Sequence, residues 1–180
     1  SGLMLLDHSQ GYTVQSVLTQ IRYLAVSQGV KHIFLDHITI LVSSDKEIEN
    51  EVKAVDVIMG QLRGLVEELN INIDLVCHLR KKSNGQKSVN TGGDIAVEDL
   101  RGSGGLYQIS NNILSYSRDQ HDEERKNITQ VRSLKSRLGG YTGLICELKF
   151  TPETGKITEY EHEDKFDKFC RQRSLRSEKR

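Results

Sequence analysis

Two short apolar runs on either side of a long amphipathic segment constrain the fold of this chain most strongly. The runs cover residues 33–35 and 71–77, and the segment between them covers residues 47–69. Apolar side chains recur along that segment in steps of four and three, the spacing of a helix with one buried face. A strand, a helix and a second strand in this order predict a βαβ unit with parallel strands. The helix residues predicted to face the core are Ile48, Val52, Val55, Met59, Leu62, Val66 and Leu69.

Similar patterns predict the remaining elements. Residues 3–6 predict a buried strand, residues 14–28 a helix, and residues 38–42 a continuation of the first strand of the βαβ unit. Residues 80–98 lack an apolar period and predict a long loop, whose length favours a functional role. A short helix and then four strands are predicted at residues 103–110, 113–116, 128–134, 144–150 and 157–160. This order indicates an α/β fold with a mainly parallel sheet and antiparallel C-terminal strands.

Composition excludes several classes of protein. The 25 Lys and Arg residues balance the 25 Asp and Glu residues, so a nucleic-acid-binding surface requires local clustering of cations. No apolar run approaches the roughly 20 residues that span a bilayer, and the first residues lack the pattern of a secretory signal. The three cysteines stand at long spacings, which fits reduced thiols rather than a disulfide framework or a zinc site. These features predict a cytoplasmic protein with no membrane partner.

Two polar residues end the strands of the predicted βαβ unit. Asp36 follows the first strand and His78 follows the second. Open α/β sheets bind ligands at the carboxyl ends of their strands. An acid there suits the hydration shell of Mg²⁺ on a nucleotide, and a histidine there suits the terminal phosphate. The residues alone leave a structural alternative open, in which Asp36 caps a turn and His78 only packs.

Two groups of cations indicate phosphate binding. The predicted long loop carries four of them among glycines, a composition that suits a nucleic-acid backbone or, alternatively, an ordinary solvated surface. Lys135 and Arg137 lie on the same side of a later strand, where they suit a phosphate or deter edge-to-edge aggregation. The cations of the long loop are Arg80, Lys81, Lys82 and Lys87.

A glycine-rich segment, residues 99–108, stands directly before the predicted short helix. Its glycines let backbone N–H groups approach a charged group closely. The segment does not match the G-x-x-x-x-G-K-[ST] phosphate loop, and that loop is missing from the whole sequence.

Several segments together resemble a known family. HIFLDHITILVSS, LVCHLRKK, DLRGSGGLYQISNNIL, SRDQ and LKSRLGGYTG occur in the order and near the spacings of the C-terminal helicase domain of DnaB-like replicative helicases. The bacteriophage primase-helicase branch is most similar, and it in turn resembles the mitochondrial helicase Twinkle. The likeness covers about residues 1–160. It implies a RecA-like three-layer core, a hexameric ring of identical subunits, and hydrolysis of ATP or another NTP or dNTP that drives translocation on single-stranded DNA and duplex unwinding.

The resemblance also implies roles for single residues. Asp36 is similar to the Walker B acid that orders Mg²⁺ through water, and His78 to the γ-phosphate sensor. Arg137 matches an arginine finger that reaches the nucleotide of the adjacent subunit, with Lys135 beside it. The four loop cations resemble the DNA-binding loop of the central channel.

Three further positions match the nucleotide site of the family. Gln108 matches a polar residue that links nucleotide state to DNA. Arg118 and Phe150 fall where the family places a cation and an aromatic ring on opposite faces of the nucleotide base.

The sequence also departs from the family. The phosphate loop and the catalytic glutamate would lie on an upstream half, so the chain alone is expected to be inactive and to bind nucleotide weakly. Tyr107 stands where phage relatives carry a basic residue. Residues 161–180 predict a disordered basic tail rather than an acidic one. A primase and a polymerase are further candidate partners. A non-catalytic single-stranded-DNA-binding module and a RecA-like recombinase fragment remain alternative functions.

Overall fold

The computed structural model describes residues 2–6, 13–39, 42, 50–79, 95–100 and 103–161. The described residues form two compact units. The first unit contains those before residue 80, together with 95–113 and 134–141, and the second contains 114–133 and 142–161. In the described part of the chain, no helix is long and apolar enough to cross a membrane.

Helix α1, Val14–Ser27, confirms the helix predicted near the N-terminus. The Thr13 hydroxyl accepts a hydrogen bond from the Ser16 backbone N–H at 3.2 Å, which satisfies one of the free donors of the first turn. Gly29, just beyond the helix, has a φ of 67°, where a side chain would be strained. The buried face consists of Val17, Leu18, Ile21 and Ala25.

The predicted βαβ unit is confirmed. Strands β1, His32–Leu35, and β2, Asn72–Leu75, are parallel and paired residue for residue, from His32 with Asn72 to Leu35 with Leu75. Helix α2, Glu51–Leu69, connects them along the chain. The Asn50 side chain caps its first turn, and Asn70 ends it in the left-handed conformation.

The buried face of α2 differs from the predicted stripe at several positions. Val52 is 46% exposed, whereas Ile58 and Leu65, which the stripe omits, are buried. Helix α2 contacts α1 as well as β2, so its buried face is wider than a single seam. The first unit's core joins this face to residues of α1, β1 and the segments around Leu100 and Leu106.

Two of the predicted strands are wrong. Ile38, Thr39 and Val42 are helical, because a short apolar run does not distinguish a buried strand from a buried helix. Residues 3–6 form no strand, and Leu3 and Leu5 are 86% and 85% exposed.

Helix α3, Ser103–Ile109, follows a single turn of 3-10 helix at Val97–Asp99 and packs against α2. Gly105 is buried at this crossing. A Cβ atom on Gly105 would lie 3.0 Å from the Asp56 Cα atom and closer still to its carboxylate. The close approach of the two helices therefore depends on a residue without a side chain.

Four antiparallel strands form the second sheet, in the order β3-β4-β5-β6. A bulge interrupts the pairing of β4 with β5 between Val131 and Arg132, and a turn containing Gly155 joins β5 to β6. Together with the parallel pair, this sheet confirms the α/β fold class with antiparallel C-terminal strands, although the antiparallel sheet is the larger one in the described residues. The strands are β3, Asn112–Ser117; β4, Ile128–Ser136; β5, Gly143–Thr151; and β6, Lys156–Glu159.

Candidate functional site

The carboxyl ends of β1 and β2 lie side by side. The Val76 N–H donates to the Leu35 carbonyl oxygen at 3.0 Å, and the Ile38 N–H donates to the Val76 carbonyl oxygen at 3.2 Å. Asp36 follows β1 directly, His78 lies just beyond β2, and both are exposed. The two residues predicted to act on a nucleotide therefore end neighbouring parallel strands, where such sheets bind ligands.

His37 is a member of this site that the sequence reasoning missed. Its imidazole lies against that of His78, with ring centroids 3.8 Å apart and planes tilted by 35°. Its Nδ1 atom is 2.5 Å from the Thr39 hydroxyl oxygen. A second histidine directly after the predicted acid was the available signal. The pair fixes one face of the His78 ring beside the strand ends.

Of the residues that the structure describes, Asp36 is the acid at the end of β1 that could face a magnesium ion. Among the described residues, no group of three or more His, Cys, Asp or Glu side chains converges on one point. Magnesium retains several waters and commonly takes one or two carboxylates together with substrate phosphates. An exposed carboxylate such as that of Asp36 is compatible with this mode of binding.

Lys135 and Arg137, predicted to lie on the same side of a strand, both contact the carboxyl end of α3. The Lys135 Nζ atom donates to the carbonyl oxygens of Tyr107 and, at 3.4 Å, Gln108, and it lies 4.6 Å from the centroid of the Tyr107 ring. The Arg137 guanidinium donates to the Gln108 carbonyl oxygen at 2.5 Å. Both cations thus satisfy free carbonyls of the last turn of α3, a contact that the sequence reasoning missed.

The two cations also influence each other. Partial burial of the Lys135 ammonium lowers its pKa, and the positive charge of Arg137 lowers that pKa further. An anion bound near both groups would relieve this repulsion.

The glycine-rich segment approaches a charged group of the chain itself. The Gly105 N–H donates to the Asp56 carboxylate at 2.7 Å, so the charged group that this donor approaches is an acid on α2. The contact of Asp56 with Gly105 was not predicted, because nothing in the sequence around an acid on a long helix indicates a partner distant in the chain. In the described part of this segment, the observed role of Gly105 is to dock α3 on α2.

The residues predicted to hold a nucleotide base both belong to the second unit. Arg118 is exposed just after β3. Phe150 lies on β5, pairs with Ile157 of β6, and donates its backbone N–H to the Asn127 carbonyl oxygen at 2.8 Å. Gln108 belongs to the first unit, on α3, with an exposed side chain. Their roles at a nucleotide stay predictions.

The four cations of the predicted DNA loop lie outside the described residues. They are Arg80, Lys81, Lys82 and Lys87. The residues that flank this loop are described. Leu79 forms an isolated antiparallel bridge with Leu100, so the chain returns beside the end of β2 before α3 begins.

Comparison with known proteins gives one family. Residues 2–159 match the family model of the DnaB-like helicase C-terminal domain. A DNA helicase/primase of Enterobacteria phage T3 is 34% identical over 139 residues, which are 77% of this chain and 24% of that protein. A probable plasmid replicative DNA helicase of Chlamydia psittaci is 30% identical over 149 residues, 81% of this chain and 31% of that protein. The chain thus spans about a quarter to a third of the length of these relatives.

Proposed function

The chain belongs to the family of DnaB-like helicase C-terminal domains, and from this premise we propose that it forms part of a replicative DNA helicase. In this proposal a ring of six identical subunits hydrolyses ATP or a related nucleotide and moves along single-stranded DNA in the cytoplasm. An upstream half supplies the phosphate loop. A primase and a polymerase are its candidate partners, and duplex unwinding is the result.

The side-by-side ends of β1 and β2 carry this proposal. Phosphoryl transfer needs positioned charges more than covalent chemistry by the protein. Asp36 would hold Mg²⁺ through water, and the ion would neutralise charge on the phosphates. His78 would donate a hydrogen bond to the terminal phosphate from the neighbouring strand end. The segment with Arg80, Lys81, Lys82 and Lys87 begins two residues after His78, so loss of the phosphate contact would alter the DNA-binding segment near it in the chain.

Arg137 and Lys135 act on the nucleotide of an adjacent subunit in this proposal. The side chain of Arg137 is exposed, and a guanidinium has five N–H donors. A cation supplied in trans makes hydrolysis depend on the subunit interface, so an isolated chain would be inactive.

The remaining family positions keep the roles that the resemblance implies in this proposal. Gln108 would link the state of the nucleotide to DNA. Arg118 and Phe150 would enclose the base between a cation and a ring, an arrangement that stabilises the flat faces of an aromatic system.

Reconstitution tests the proposal. The chain is mixed with an upstream half that carries the phosphate loop, and DNA-stimulated nucleotide hydrolysis is measured. We expect activity that neither part shows alone, together with DNA binding that depends on nucleotide. Absence of any gain, with both parts folded, contradicts the proposal. DNA binding that depends on salt but not on nucleotide supports a non-catalytic binding module instead.

Two variants separate the proposed roles. Arg137→Ala should abolish hydrolysis in the ring and leave DNA binding largely intact. Equal loss of both would assign Arg137 to DNA or to structure. The double variant Lys81→Ala/Lys82→Ala should instead weaken DNA binding and reduce its dependence on salt concentration.

A further inference from the structure

Arg137 forms three hydrogen bonds with residues at or just after the carboxyl end of α3. Its guanidinium donates to the Gln108 carbonyl oxygen at 2.5 Å and to the Asn111 side-chain oxygen at 3.4 Å. Its backbone N–H donates to the Asn111 carbonyl oxygen at 2.9 Å. Asn111 therefore contacts both the backbone and the side chain of Arg137, the residue that follows β4.

The Asn111 side-chain oxygen also accepts a hydrogen bond from Arg63 of α2, again at 3.4 Å. Arg63 is itself held by Glu67, whose carboxylate accepts from the Arg63 Nε atom at 2.7 Å. The partial negative charge of the amide oxygen thus lies between two guanidinium groups that would otherwise repel each other. The Asn111 side-chain oxygen thus joins Arg63 of α2 to Arg137, the residue that follows β4.

The contacts leave the Arg137 guanidinium able to bind an anion. Two of its five N–H groups donate to described residues, at Gln108 and Asn111, and the side chain is exposed. A guanidinium fixed by part of its donors loses less conformational freedom on binding a phosphate than one that rotates freely. Restraint by α3 would therefore favour its use as a charge-neutralising group.

We propose that Asn111 is a positioning residue that orients the Arg137 guanidinium on the carboxyl end of α3. It would not touch nucleotide. Its effect on hydrolysis rests on the proposed function of Arg137, whereas its effect on the orientation of Arg137 does not.

The orientation is tested on the 180-residue chain by NMR. The guanidinium signal of Arg137 is assigned with Arg137→Lys, and rotation about its Nε–Cζ bond is measured. Asn111→Ala removes only the side-chain acceptor, since the backbone bond to Arg137 remains. We expect faster rotation in Asn111→Ala and rotation no faster than wild type in Asn111→Asp, which keeps an acceptor oxygen and adds a negative charge. Asn112→Ala, a change of the exposed neighbouring residue, is the matched control. Unchanged rotation in Asn111→Ala overturns the proposal.

Hydrolysis is then measured after assembly with the upstream half. Asn111→Ala should lower kcat about fivefold, the equivalent of one modest hydrogen bond, and leave KM unchanged. Asn111→Asp should restore the rate. Equal effects on KM and kcat, or no rescue by Asn111→Asp, contradict positioning. If wild-type protein hydrolyses nothing, the proposed function fails, and the NMR result alone decides the role of Asn111.

Discussion

The two units of the molecule bury different kinds of side chain. The first unit contains an apolar core built by α1, β1, α2 and β2, with α3 packed against α2. In the described residues of the second unit, the buried apolar side chains are those of Ile128 and Val131. Where the structure describes the chain, the buried polar residues all belong to this unit, and they are Ser115, Ser117, Ser133 and Glu147.

This difference indicates two sources of stability. Apolar burial dominates the first unit and contributes about 25 cal/mol for each Å² removed from water. The second unit depends more on strand hydrogen bonds and on the contacts of Glu147, which accepts from Arg125 at 2.5 Å and from Gln130 at 2.9 Å. Truncation of a buried apolar side chain should therefore destabilise the first unit most. Removal of a buried polar partner should destabilise the second unit most.

The largest effect is expected from Ile58→Ala in the first unit. Ile58 is 2% exposed on α2, and truncation of such a side chain costs about 2–5 kcal/mol through lost burial and the cavity left behind. Hydrogen exchange in denaturant, read by mass spectrometry on peptides of α2, measures the loss. Val57→Ala, at the exposed neighbouring position, is the control. Equal effects of the two variants would contradict an apolar core at this site.

Glu147→Gln tests the second unit and should cost about 2 kcal/mol, because it removes the charge that Arg125 faces. The Arg125 side chain is 32% exposed, so water compensates part of the loss. Hydrogen exchange in denaturant, read on peptides of β5, measures the loss of stability. Glu153→Gln, in the exposed turn before β6, should have no measurable effect. A neutral result for Glu147→Gln would show that packing, and not this ion pair, stabilises the sheet.

Gly105→Ala should destabilise the first unit by about 1–2 kcal/mol, because the new methyl group meets Asp56 and strains the crossing of α3 with α2. Gly104→Ala offers a matched control, since its Cβ atom would lie 4.0 Å from the same carboxylate. Thermal unfolding of the two variants distinguishes a tight crossing from a general effect of alanine. Higher stability of Gly105→Ala would show that the helices separate easily.

Glu68→Gln should have the smallest effect, and one that depends on pH. The hydrogen bond from Arg22 lowers the pKa of Glu68, although the pair lies on the surface between α1 and α2. A lowered carboxylate pKa contributes stability above its unfolded-state value, and the contribution disappears as the pH falls through the folded-state value. The free energy of unfolding of Glu68→Gln should therefore be lower than that of wild type at neutral pH and equal to it in acid. In an Arg22→Gln background the difference should vanish.

Periodicity predicted much of the fold correctly. The spacing of Val17, Leu18 and Ile21 predicted α1, and the apolar runs predicted β1 and β2 as parallel strands. Apolar patterns failed at Ile38, because a short apolar run does not distinguish a strand from a helix. They failed at Leu3, because burial of an apolar side chain requires a packing partner that the local sequence does not specify.

The candidate site was predicted in part for a related reason. The end of a strand can be read from the local sequence, so the positions of Asp36 and His78 after β1 and β2 were predicted correctly, while their roles stay predictions. Contacts between distant residues cannot be read in this way, so the stacking of His37 on His78 and the Lys135 and Arg137 contacts with α3 emerged only from the structure.

The exposed apolar segment near the N-terminus has a practical consequence. Leu3, Met4, Leu5 and Leu6 each expose at least half of their surface, although none of them carries a charge or a hydrogen-bonding group. Exposed apolar clusters of this kind promote self-association, and salts that are excluded from protein surfaces strengthen it. The purified chain should consequently precipitate at a low concentration of ammonium sulfate. Leu5→Ser should raise the ammonium sulfate concentration at which precipitation begins.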